Sequence, residues 1–148
     1  MKIKNALTVA LLLFTSLFYG QNEEKREQIK SLKTAFITTE LALTPEESAK
    51  FWPVYNAFDE KQFEIRHQKM KAVNNKVKNS IDKMSDKEAL AVLTQMENYD
   101  EELLENRKKL VSSLKSVISP VKILKLKKAE DDFNRTLLKQ YKEKGRRK

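Results

Sequence analysis

Apolar residues recur at steps of three and four along most of this chain, which is the spacing of one face of an α-helix. These steps predict four helices, over residues 24–41, 45–80, 85–117 and 119–141. Few residues interrupt them, because the sequence has only two Gly and three Pro. Since sheets need many turns and long helices need few, the pattern favours an all-α fold.

The predicted helix starts carry capping chemistry. Thr44, Pro45 and Glu47 lie in the sequence Thr-Pro-Glu-Glu, where the hydroxyl can accept a backbone N–H and the carboxylate can reach back to the cap. A second capping box begins at Ser85, and a cap followed by proline begins at Ser119. These local signals indicate where three of the four helices begin.

The two central helices predict a long antiparallel hairpin, since each would be about 50 Å long at about 1.5 Å per residue. Pro53 lies too deep in the second helix to be its first residue, so we expect a bend or break near Phe51–Pro53. The inward positions predicted for the second helix are Phe51, Val54, Tyr55, Phe58, Ile65, Met70, Val73 and Val77. Those predicted for the third are Ala89, Leu93, Met96, Leu103, Leu110, Leu114 and Val117, with Asp100 and Arg107 on the same seam.

Apolar residues outside these stripes indicate an interface. Trp52 and Phe63 lie off the main stripe of the second helix, and a second stripe on the third helix consists of Leu90, Leu104, Val111 and Ile118. Surplus apolar surface of this kind usually marks a contact with another molecule. We expect a homodimer, because a second copy covers the surplus with no other protein needed.

The N-terminus has the pattern of an export signal. Two lysines precede an apolar run over residues 6–18, which is long enough for a signal core and too short to span a bilayer comfortably. Cleavage after Gly20 would make Gln21 the first residue of a periplasmic protein. An uncleaved anchor is the alternative, since the large Phe18 occupies a position that usually holds a small residue. No cysteine follows the run, which excludes a lipid-anchored form.

Composition limits the classes of partner and of stabilising bond. The formal net charge is +9, which suits nucleic acid, acidic protein or anionic lipid. Export makes nucleic acid the least suitable of these, so we expect none. Because the chain has no Cys, its stability must come from packing and not from disulfides. We expect a signal over residues 1–20, one all-α domain over residues 21–141 and a basic flexible tail over residues 142–148.

The sequence lacks the residues that most catalytic sites need. It has one His and no Cys, and its two glycines, Gly20 and Gly145, cannot form a phosphate-binding loop. We therefore expect no enzymatic activity, no catalytic residue and no cofactor. His67 and Met70 are weak candidates for a metal site, but one imidazole and one thioether are a poor ligand set. A boundary histidine beside a core methionine is the preferred interpretation.

Residues 43–47 resemble the leucine-threonine-x-x-glutamine motif of the Spy/CpxP family of small periplasmic helical proteins. Residues 118–122 lie where that family has a second, degenerate copy, and residues 43–55 are similar to flavobacterial variants often labelled as sensors of ECF-type sigma factors. The resemblance implies a cradle formed by an elongated, antiparallel homodimer. The residues that carry the two motifs are Leu43, Thr44, Pro45, Glu47, Ser119, Pro120 and Lys122.

This chain departs from the family motif at its glutamine. Glu47 replaces it in the first copy and Lys122 replaces it in the second. Because the two replacements have opposite charges, they predict an ion pair where the two motifs meet.

Members of the family act as ATP-independent chaperones, as restraining accessories of stress sensors, or as metal-responsive sensors, and a single His weakens the third role. We expect a chaperone-like protein that binds unfolded or misassembled envelope proteins in the envelope stress response. An accessory that binds and restrains an ECF sigma/anti-sigma or sensor-kinase system is the alternative, and membrane-surface binding through the basic tail is a third. The candidate client-binding cations are Lys61, Arg66, Lys69, Lys71, Arg107, Lys108 and Lys109.

Overall fold

The computed structural model describes the backbone of residues 2–146 and the side chains of residues 20–146. All regular structure in these residues is helical, which confirms the all-α prediction. The helical residues include a π-helical segment, Glu64–Met70, and a 3-10 turn, Ile81–Lys83. The α-helices are α1 Lys2–Leu41, α2 Pro45–Phe63, α3 Lys71–Ser80, α4 Asp86–Leu114 and α5 Pro120–Arg146.

The chain packs as two compact units. The first contains α1 and most of α5, and its buried side chains include Ile37, Leu41 and Leu126. The rings of Phe36 and Phe133 also meet there, with centroids 5.8 Å apart. The predicted signal over residues 1–20 lies outside the described side chains, apart from Gly20, which is exposed.

The second unit, Leu43–Leu124, contains the predicted hairpin. Asn106 donates to the backbone carbonyl of Phe58, while Lys69 contacts Glu102. Because later positions on the α2 side meet earlier positions on α4, the two arms run antiparallel. Five apolar side chains of the first arm are buried, namely Phe51, Tyr55, Phe58, Ile65 and Val73.

The α4 side of the hairpin follows the predicted seam at Met96, Leu103, Leu110 and Leu114 but departs from it at Leu93 and Asp100. Val92 is buried, whereas Leu93 is 55% exposed. The inward row then includes Tyr99 and Asn106, which are half-buried, in place of the predicted Asp100. At these two positions the residue one place earlier, Val92 or Tyr99, packs inward instead. Two rows separated by one residue have the same periodicity, so the sequence of α4 alone does not distinguish them.

The bend or break predicted near Phe51–Pro53 is not a break, because α2 continues through Pro53. Proline removes the hydrogen bond to the carbonyl of Ala49, yet Pro53 is exposed, and a carbonyl freed on that side can bond water. Its neighbours hold the helix in place. Phe51 and Tyr55 are both buried and their rings stack at 5.4 Å.

The irregularity lies instead in the π-helical segment. Up to Ile65 the buried positions of this arm follow helical steps, but the next predicted inward residue is Met70, five positions later. Val73 and Val77 continue from Met70 at regular steps. A π-helix has more residues per turn than an α-helix, so it accommodates this one-residue slip. Val73 remains buried as a result.

Two helix ends differ from the predicted ones. The third predicted helix, which is α4, ends at Leu114, three residues before the predicted end at Val117. It ends in a turn where the N–H groups of Val117 and Ile118 donate to the Leu114 carbonyl. Helix α5 continues past Tyr141 to Arg146, so it covers most of the segment predicted to be a flexible tail, and residues 147–148 lie outside the described part. Basic side chains in its last turn favour this extension, because cations stabilise a helix C-terminus.

Candidate functional site

The first motif forms the predicted capping box at the start of α2. The Thr44 hydroxyl accepts the Glu47 backbone N–H at 3.2 Å, and Glu47 Oε2 accepts the Thr44 N–H at 3.0 Å. Pro45 occupies the first helical position, where its missing N–H costs nothing. Leu43, immediately before the cap, is half-buried. The motif therefore fixes the place where α2 begins.

The second motif starts α5 in a related way. The Ser119 hydroxyl accepts the Lys122 backbone N–H at 3.3 Å, and Pro120 again occupies the first helical position. Ile118, just before the cap, is buried. Lys122, unlike a glutamate, has no oxygen that could accept the N–H of its own cap. The second motif is therefore half of a capping box, with a cation where the carboxylate would be.

The two motifs meet through these two side chains. Lys122 Nζ lies 2.6 Å from Glu47 Oε2, and both side chains are 24% exposed, which confirms the predicted ion pair. The hydrogen bond from Lys122, together with the one from the Thr44 N–H, holds the pKa of the Glu47 carboxyl below its usual range. One carboxylate oxygen thus serves both helix starts.

A second feature, the hairpin groove, lies between α2 and α4. Its volume is about 720 Å³, which falls within the usual range for ligand pockets. The α2 side is formed by Val54, Ala57, Phe58 and Lys61, and the α4 side by Glu102, Glu105, Asn106, Lys109, Leu110 and Ser113. The groove therefore has an apolar base with charged groups beside it.

Phe58 lies at the base of this groove and is held from α4. The Arg107 guanidinium carbon lies 4.4 Å from the centre of its ring, within the range of a cation–π contact. The Asn106 amide donates to the Phe58 backbone carbonyl at 3.1 Å. Since both contacts come from α4, they fix how the two arms face each other.

An ionic network borders one end of the groove, where the π-helical segment faces α4. Lys69 Nζ lies 2.8 Å from Glu102 and 3.6 Å from Glu64, while Lys61 Nζ lies 3.1 Å from Glu64 and 3.9 Å from Glu102. The bond to Lys61 lowers the pKa of Glu64, and the bond to Glu102 raises the pKa of Lys69. Two cations and two anions thus neutralise each other.

The seven candidate client-binding cations have different surroundings in the structure. Lys61 and Lys69 belong to the network, Lys108 pairs with Glu105 at 2.7 Å, and Arg107 covers Phe58. The other three, Arg66, Lys71 and Lys109, are exposed. Only two of the seven line the groove, namely Lys61 and Lys109.

Sequence reasoning missed most of the groove. Glu102, Asn106, Lys109 and Ser113 recur at steps of four, three and four, so they share one face of α4. That spacing could have identified them as one row. It could not have shown that α2 leaves this row uncovered.

The weak metal candidates are apart from this groove. The imidazole of His67 lies against the ring of Phe63, with centroids 4.7 Å apart. Met70 is half-buried at the end of the π-helical segment. In the described part of the chain, no three side chains of His, Cys, Asp or Glu form a group that could hold a metal ion.

Among residues 20–146, whose side chains the structure describes, none of the helices combines the length and the apolar character needed to cross a membrane. Comparison of the chain with protein-family models, curated proteins and solved structures found no match.

Proposed function

We propose that this chain is a Spy/CpxP-like periplasmic protein that binds unfolded or misassembled envelope proteins without ATP. The observation that carries this proposal is the hairpin groove, where Val54, Ala57, Phe58 and Leu110 lie beside the ammonium groups of Lys61 and Lys109. An apolar surface next to cations suits a client whose apolar side chains have not yet been buried. We propose no catalytic step and no cofactor.

The two kinds of group have different physical tasks. Ammonium groups attract an acidic or polar chain over several ångströms and raise the rate of encounter. Apolar atoms then hold the client weakly, in proportion to the surface they cover. Leu93 adds apolar surface on α4, since it is 55% exposed.

A homodimer is part of the proposal, because Leu90 and Leu104 belong to the second apolar stripe of α4 and remain exposed at 65% and 53%. Light scattering should give twice the mass of the chain for the wild type. Leu104→Glu should shift the mass toward that of one chain. An unchanged dimer in that variant would show that this stripe is not the interface.

The alternative is an accessory that restrains one stress-signalling protein. The ionic network of Lys61, Glu64, Lys69 and Glu102 favours it, because cations held by carboxylates present a fixed surface and not an adaptable one. A fixed surface suits a single partner, whereas an adaptable surface suits many.

Aggregation suppression distinguishes the two functions. The purified protein is mixed, without ATP, with a chemically denatured client that is then diluted into buffer, and light scattering is followed at low and high salt. We expect suppression of several unrelated clients near equimolar protein, with less suppression at high salt because salt screens the cations. If no client is protected, the chaperone proposal fails and the accessory becomes the better explanation.

A further inference from the structure

The charges beside the hairpin groove do not balance. Glu102 is neutralised by Lys69 at 2.8 Å, and Glu105 by Lys108 at 2.7 Å. Lys61 is in turn bound to Glu64 at 3.1 Å. Each of these carboxylates therefore has a lysine as its partner within the hairpin.

Lys109 is the exception. It lines the groove and is exposed, and the described residues place no carboxylate within ion-pair distance of its ammonium group. It lies next to Leu110 in sequence and one helical turn after Glu105, whose carboxylate binds Lys108 at 2.7 Å. The groove thus has one unneutralised positive charge beside its apolar base, away from the ionic network.

We propose that the groove selects client segments in which a large apolar side chain stands next to a carboxylate, with the apolar group on Phe58 and Leu110 and the carboxylate on Lys109. This inference rests on the proposed function and specifies which sequences within a client are bound. A basic segment would bring a second cation to Lys109, and a purely apolar one would leave its charge without a partner. Charge complementarity therefore identifies the occupant.

The size of the groove sets the length of the segment. Its α4 side extends from Glu102 to Ser113, which is roughly 16 Å at about 1.5 Å per residue. An extended chain advances about 3.3 Å per residue, so about five residues fill it. Sites this short occur many times in an unfolded protein, which agrees with a binder of many clients.

Fluorescence anisotropy with short labelled peptides tests the inference. The acidic probe has an Asp-Leu-Phe-Asp centre, and the matched basic probe has Lys-Leu-Phe-Lys. Two variants with the same net charge are compared, Lys109→Glu in the groove and Lys50→Glu at an exposed position of α2 outside it. The same preparations are assayed for aggregation suppression.

We expect the wild type and Lys50→Glu to bind the acidic probe about tenfold more tightly than the basic one at low salt, a ratio that corresponds to about 1.4 kcal/mol. Lys109→Glu should reverse the preference. Equal binding of both probes by the wild type, or an unchanged preference in Lys109→Glu, would overturn the inference.

The aggregation assay distinguishes a failure of this inference from a failure of the proposed function. Aggregation suppression without a charge preference in peptide binding would support the chaperone function and overturn the inference about the groove. Charge-selective peptide binding without aggregation suppression would support the inference about the groove and contradict the proposed chaperone function.

Discussion

Glu47 and Lys122 occupy the same position in two different helices, the third residue after the cap, and their side chains meet at 2.6 Å. A lysine near a helix N-terminus is unfavourable, because the helix dipole places partial positive charge there. The Glu47 carboxylate offsets this cost, and it also completes the capping box of α2. The two helix starts are therefore stabilised together.

Exchanging the two charges tests this relationship. Glu47→Lys alone should lower the Tm, because two cations would then lie at two helix starts. The double variant Glu47→Lys/Lys122→Glu should recover most of the lost Tm, since a glutamate at position 122 can accept the N–H of Ser119. Thermal unfolding followed by circular dichroism measures the Tm of each variant. If the Tm loss of the double variant equals the sum of the losses in Glu47→Lys and in Lys122→Glu, the side chains do not act as a pair.

The same pair predicts a dependence of stability on pH. The pKa of Glu47 in the folded chain lies below its ordinary value of 4.5, because Lys122 and the Thr44 N–H bond the charged form. Its stabilisation should therefore be complete above pH 4.5 and should be lost as the pH falls through the lower pKa of the folded state. Glu47→Gln should lower the Tm at pH 7 and have little effect near the pH at which the wild-type carboxyl is protonated. An equal loss of Tm at both pH values would show that the negative charge of Glu47 is not the cause of the stabilisation.

Ala42 predicts a stabilising substitution. It follows the last residue of α1 with a φ of 46°, a left-handed conformation that costs a residue with a Cβ about 1 kcal/mol or more. Ala42→Gly should raise the Tm by about 4 °C, as expected for about 1 kcal/mol in a chain of this size. Ala49→Gly, at an exposed position inside α2, is the matched control and should destabilise by about 1 kcal/mol. A lower Tm in both variants would contradict the argument.

Because the π-helical segment accommodates a one-residue slip, we expect that one residue can be deleted from it with little loss of stability. Deleting the exposed Gln68 would place Met70, Val73 and Val77 at steps of four, three and four after Ile65, which an α-helix satisfies without interruption. The Tm of this variant should stay within about 4 °C of the parent, an effect of about 1 kcal/mol or less.

The control for this deletion removes the exposed Asn98 from α4, whose apolar row is already regular. That deletion turns Leu110 and Leu114 away from the core, and losing each buried side chain costs about 1.5–3 kcal/mol. Urea unfolding compares the two deletions. Similar large losses in both would show that the π-helical segment does not result from the slip in the apolar pattern.

Features of the fold that depend on neighbouring residues could be predicted from the sequence. The caps at Thr44, Ser85 and Ser119 act over three or four residues, and α2, α4 and α5 begin where these caps place them. The Glu47–Lys122 pair could also be predicted, because its two positions are equivalent in the two motifs.

Features that depend on the facing helix could not. Val92 and Leu93 are equally apolar, and only packing against the first arm decides which is buried. Pro53 leaves α2 intact and lies on its exposed face, which the sequence does not show. The groove depends on which α4 side chains remain uncovered by α2. Lys109 therefore had the same sequence evidence as Lys108, although only Lys109 lines the groove.

The pairing of Glu47 with Lys122 has a consequence for how the chain folds. The two residues are 75 positions apart, so their contact closes a loop that contains the whole hairpin. Closing a loop of that length is slow and entropically costly unless the hairpin forms first and brings the ends together. In a chain with no cysteine, a reversible ionic bond joins two segments that a disulfide could otherwise link. Acid can therefore release this closure without any change in redox state.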